Sequence, residues 1–183
     1  MHFTLMILGI ALWAGAHLFK RIAPDARAAM GDKGKGLVAV LIVASIVLMV
    51  IGYRGILGYP VWLTPTWGVH VNNLLILIAI FMMSPAPRKG RLLNRWRHPM
   101  LMGFGLWAAA HLLVNGDLAS VVLFGGLFFW ALIEMIVINR AEPRWQPDAP
   151  GTWAKDVMFL FASVILMGII GYIHNLLGYW PFG

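Results

Sequence analysis

Six runs of apolar residues, roughly 3–19, 37–53, 66–84, 99–114, 117–139 and 156–178, take up most of this 183-residue chain. A bilayer core needs about 20 helical residues to cross, with a range near 17–25, and the runs cluster around that length. The fourth is the shortest and leans on its flanks. Hydrophobic residues make up 61% of the chain and charged residues 11%, against about a quarter charged in a soluble domain. That is more apolar surface than one small core can hide, which excludes a water-soluble enzyme. The runs are separated by turn formers: Pro24 with Gly31, Gly34 and Gly36; Tyr59-Pro60; Pro85-Ala86-Pro87; Asn115-Gly116; and Pro143 to Pro150. Thr64-Pro65 has the pattern of an N-cap and first helical residue, which predicts that the third helix starts there. No repeat of 20–50 residues is visible. The expected fold is all-α: one membrane domain over residues 1–183, a bundle of about six transmembrane helices.

The chain is basic, with 14 Lys and Arg against 7 Asp and Glu, yet the placement of these residues argues against nucleic-acid binding. Lys20, Arg21, Arg27, Lys33 and Lys35 lie in the first loop, and Arg88, Lys89, Arg91, Arg95 and Arg97 in the third. Arg140, Arg144 and Lys155 lie in the fifth, leaving only Arg54 on the other side. By the positive-inside rule both termini face away from the cytoplasm. Trp62, Trp67 and Trp180 then fall at the outer interface and Trp96, Trp145 and Trp153 at the inner one, as aromatic belts do. Ala14-Gly15-Ala16 has the look of a signal-peptide cleavage site, but no positive region precedes it and cleavage would send a basic loop outward. The expected address is a bacterial inner membrane, with the lipid bilayer as the constant partner.

Ionisable side chains inside a span are costly and point to function. Six histidines are candidates: His2 at the free end, His98 at the inner edge of the fourth span, His17 near the inner end of the first, and His70, His111 and His174 toward outer ends. A hydrogen-bonded helix terminus accounts for His2, His98 and His174. His111 belongs to the series Gly103, Trp107, His111, Asn115, spaced by four and so on one helix face. Two readings stay open on spacing alone. One is a helix–helix contact of small and polar residues; in the other Gly103 makes room, Trp107 packs on a planar group and His111 ligates a metal. Asp117 is placed to cap the fifth helix. Glu134, the one acid well inside a span, either orients a histidine, with His17 at similar depth, or pairs with a basic residue of the inner interface. Phe124, Phe128 and Phe129 read as packing or lipid-facing surface. With no cysteine, disulfides, thiolate haem ligands and iron–sulfur clusters are ruled out. Zinc would want three or four ligands close together, whereas haem needs an apolar slot and one or two imidazoles.

The chain resembles the NnrU family of bacterial membrane proteins, related to zeta-carotene isomerase of plants and cyanobacteria. The resemblance is carried by Gly15-Ala16-His17 with Arg21-Ile22-Ala23-Pro24, by Gly52-Tyr53, by Trp67 with His70, and above all by residues 97–117, RHPMLMGFGLWAAAHLLVNGD. It implies haem b held by histidine, with His111 and His17 leading and His70 and His98 also at family positions. It also implies an isomerase-like, redox or nitric-oxide-related activity on a lipophilic small molecule; the isomerase relative's cysteine has no counterpart here. By rise per residue, His17 lies about 4 Å inside the inner edge and His111 about 18 Å above that edge. Two axial histidines keep their Cα atoms roughly 13 Å apart, given metal–nitrogen bonds near 2 Å. His17 with His111 is therefore only just reachable; His70 is the easier partner by depth. Arg97-His98-Pro99 followed by Gly103 also resembles the adenosylmethionine-binding stretch of isoprenylcysteine carboxyl methyltransferase-like enzymes. A third reading is a non-catalytic subunit that aids maturation of a respiratory, denitrification-linked enzyme. Small-residue contacts are compatible with a monomer or a homo-oligomer.

Overall fold

A computed structural model describes residues 1–182. It contains eight helices among these residues: α1 (His2–Ile22), α2 (Pro24–Ala29), α3 (Gly31–Arg54), α4 (Gly68–Met83), α5 (Ala86–Lys89), α6 (Pro99–Val114), α7 (Leu118–Ala141) and α8 (Trp153–Leu176). Each of the six apolar runs is a helix. Four of them, α1, α3, α7 and α8, are long and apolar enough to cross a membrane. The other two, α4 and α6, have 16 residues each and rise about 24 Å, short of a hydrocarbon core near 30 Å. Apolar side chains such as Val43, Val47 and Val50 on α3 and Phe161, Ile165 and Ile169 on α8 are exposed. Patches of that extent are what a lipid environment covers.

The helix ends follow local chemistry. Pro24 cannot extend α1, and Lys20 and Arg21 in its last turn complement the helix dipole. Pro99 opens α6 at the position where its missing N–H costs nothing. Asp117 caps α7 as expected, its Oδ1 accepting the Ser120 N–H at 3.0 Å. Gly31 at the junction of α2 and α3 has φ +51°, a conformation that a Cβ would strain. One start is corrected: the third long helix begins at Gly68, not at Thr64-Pro65. The Pro65 carbonyl accepts the Gly68 N–H at 2.9 Å, so a tight turn closes before the helix can begin.

The described residues group into two compact units, one comprising residues 1–62 and 116–142, the other residues 63–115 and 143–182. In the first unit α1 and α3 pack along their length, with α7 against α1. A Cβ on Gly9 would stand 2.7 Å from Met49 Cγ and 2.8 Å from the Ser45 carbonyl oxygen; one on Gly52 would stand 2.6 Å from the Met6 nitrogen. The two backbones approach where only glycine fits, as membrane helices do when dispersion has to supply the attraction. Gly9→Leu is expected to loosen this pair by about 2–3 kcal/mol, the upper range of overpacking. An earlier unfolding midpoint in a denaturing-detergent titration checks it. At the far end of α3 the Tyr53 hydroxyl meets Ser120 Oγ at 2.8 Å, and the Gly116 carbonyl accepts Val61 and Trp62 N–H groups.

In the second unit α4 packs on α6 and α8. Phe81, Met82, Ala86 and Leu93 form its core, with Leu106 and Phe159 against them. Asp156, buried in the first turn of α8, accepts the Arg91 N–H at 2.7 Å and the Leu92 N–H at 3.3 Å. The Gly151 N–H adds a bond to the Gly90 carbonyl at 2.9 Å. One carboxylate thus holds the loop after α5 onto the start of α8.

Candidate histidine sites

In the first unit His17 sits one turn from the end of α1 with its ring half-buried. Its Nδ1–H donates to the Trp13 carbonyl at 2.8 Å, the tautomer in which Nε2 carries the lone pair. The ring rests 4.3 Å from the Trp13 ring and 4.8 Å from that of Trp130 on α7. One turn beyond Trp130, Glu134 is buried, and its Oε2 has no hydrogen-bond partner among the described residues. It lies within electrostatic reach of both His17 and Arg21. The two partners weighed for Glu134 are therefore both near, yet each bonds elsewhere. His17 uses the Trp13 carbonyl and Arg21 donates to Glu142 at 2.6 Å.

In the second unit His111 repeats the arrangement. Its Nδ1–H donates to the Trp107 carbonyl at 2.9 Å, and its ring lies 4.8 Å from that of Trp107, which in turn meets Phe104 at 5.1 Å. The four-spaced series divides into separate tasks. The room that Gly103 leaves is taken by α4: a Cβ there would be 2.8 Å from Met82 Cβ and 2.9 Å from the Ala79 carbonyl oxygen. Asn115 closes the helix, its side-chain amide donating to the His111 carbonyl at 2.8 Å. His174 on α8 bonds the Ile170 carbonyl through Nδ1 at 2.8 Å and lies within electrostatic reach of His111. His70 is exposed in the first turn of α4, and His98 is the N-cap residue of α6, at the opposite end from His111. Among the described residues no three His, Cys, Asp or Glu side chains converge as a metal-binding group.

The likeness of the two histidines extends along their helices. Leu12-Trp13-Ala14-Gly15-Ala16-His17-Leu18 recurs as Leu106-Trp107-Ala108-Ala109-Ala110-His111-Leu112, and Met6 and Gly9 recur as Met100 and Gly103 at the same offset of 94. The geometry recurs with the letters. Gly9 admits α3 against α1 as Gly103 admits α4 against α6, and each Trp carbonyl holds the histidine four residues on. This repeat is far longer in period than the 20–50 residues of solenoid units. It makes His17 and His111 a pair of like parts.

The fold and these sites define a class: an all-helical protein with apolar, membrane-type helices and histidines fixed inside them by their own backbones. The family model for NnrU protein matches residues 5–181, and the chain belongs to that family. Neither the curated proteins nor the solved structures contain a match.

Proposed function

We propose that this chain is a multi-pass membrane protein that binds haem b through His111. The observation that carries it is the His111 Nδ1–H bond to the Trp107 carbonyl. Histidines that ligate metals commonly commit their second nitrogen to a carbonyl or carboxylate, which sets the tautomer and aims Nε2 outward. The residues fit the group in three respects: a neutral-imidazole donor, aromatic and alanine side chains around it, and a rigid helix behind it. Trp107 braces the imidazole, and Asn115 fixes the end of the turn that bears it. Two histidines are the candidates for a second ligand: His70, in the same unit, and His17, which has the same tautomer and its own braces in Trp13 and Trp130. Bound haem iron would supply one-electron chemistry and a coordination site for small ligands, including nitric oxide, or the trigger for isomerising a lipophilic substrate.

Protein purified in detergent from haem-replete cells is expected to be coloured, with a Soret band and a b-type pyridine haemochrome. A colourless preparation of folded protein sinks this reading. The proposed topology has six spans, α4 and α6 included, with a bacterial inner membrane as its setting. Alkaline phosphatase fused after Gly183 is then expected to be active, because the C-terminus lies outside; activity only of a cytoplasmic reporter at that position overturns it.

A further inference from the structure

A second feature of the second unit lies away from His111, where α4 ends and α6 begins. A cavity of about 520 Å3, open on one side, is lined there by Arg88 and Arg97, by Met83 and Met100, and by Trp96 and Trp145. We propose that it holds the phosphate headgroup of an anionic phospholipid, with the acyl chains leaving through the open side.

The lining joins basic and polar side chains to methionines and tryptophans, and that combination selects the ligand. Arg88 and Arg97 line the cavity, and the segment that bears them, residues 84–98, also carries Lys89, Arg91 and Arg95 and not one acid. Arginine's planar fork matches two phosphate oxygens at once. The one carboxylate against the cavity, Asp148, is 3.7 Å from Arg88 in an exposed pair. Such pairs contribute little, and a phosphate can displace this one. Beside the polar Ser84, Asn94 and Gln146, the lining includes the methionines Met82, Met83 and Met100. They are adaptable side chains suited to methylenes of varying conformation. Trp96 and Trp145 are the residue type that settles at headgroup level. The volume falls within the range of about 300–1,000 Å3 typical of small-ligand sites, enough for a headgroup and the first methylenes. Basic pockets between helices on the cytoplasmic side recognise anionic headgroups by this combination.

The test uses the full chain in nanodiscs of equal phosphatidylcholine and phosphatidylglycerol, with retained lipid read by native mass spectrometry. The wild type is expected to keep one phosphatidylglycerol at about tenfold preference over phosphatidylcholine. Arg88→Gln with Arg97→Gln should bring the ratio to parity, and Met100→Asp, at an exposed position, should lower it several-fold. Each variant is compared only if it melts like the wild type. Three outcomes overturn the proposal: equal retention of the two lipids by the wild type, a preference unchanged in the double variant, or complete displacement of lipid by millimolar glycerol 3-phosphate or adenosylmethionine. Haem content is measured on the same samples, so failure here is separable from failure at His111.

Discussion

Replacing His111 with alanine is expected to cut the haem content of purified protein to below a tenth of the wild-type value, read from the Soret band against protein absorbance. The ring is half-buried and its Nδ1–H is already committed to the Trp107 carbonyl, so little further ordering is needed to present Nε2. Alanine keeps the helix, which already carries three alanines just before the histidine, and removes only the donor. Added imidazole should restore the band in His111→Ala, an effect that a purely structural histidine would not show. His17→Ala then reports on the second ligand. A change from a low-spin to a high-spin spectrum with haem retained assigns that role to His17, and an unchanged spectrum moves it to His70. An undiminished band in His111→Ala removes His111 from the site.

Asp156→Ala is expected to destabilise the second unit by about 3 kcal/mol, measured as the shift of the unfolding midpoint in a denaturing-detergent titration. Hydrogen bonds to a charged group contribute about 1.5–3 kcal/mol each, and this carboxylate accepts at least two from the backbone. Gly90 is packed so closely on Asp156 that a Cβ there would collide with its carboxylate. Asp156→Asn should cost nearly as much if its amide turns toward the same N–H groups. A shift under about 0.5 kcal/mol for the alanine variant would falsify the assignment, since that is the range of ordinary surface changes.

Elements written in composition are legible from the residues alone. Runs of apolar residues ended by Pro, Gly and Asn mark where the six apolar helices lie, four of them long enough to span, and Asp117 reads as a cap from its place in a turn. Contacts across elements are not legible in this way. Nothing in the sequence singles out Asp156, and only the fold brings the loop at Arg91 to it. Gly103 offers two readings on spacing, and the proximity of α4 decides what fills its space. The start of the third helix differs from its sequence pattern because Pro65 serves a turn as readily as a helix. His17 and His111 each stand out as ionisable groups in apolar runs. Their shared setting is a property of the backbones, which give the same Trp carbonyl the same role in both.

The first unit is discontinuous in the chain: α1 and α3 are complete by Arg54, whereas α7 arrives only at Leu118, after much of the second unit. A growing chain emerges N-terminal end first. For the time it takes to make those intervening residues, the hairpin of α1 and α3 exists without Trp130 and Glu134, and of the two tryptophan rings against His17 only Trp13 is present. Any group that His17 acquires can therefore be enclosed last, with α7 closing over a ring already held in position. A ribosome-stalled chain ending at Asn115 would present that intermediate, a nascent hairpin whose histidine still awaits its lid.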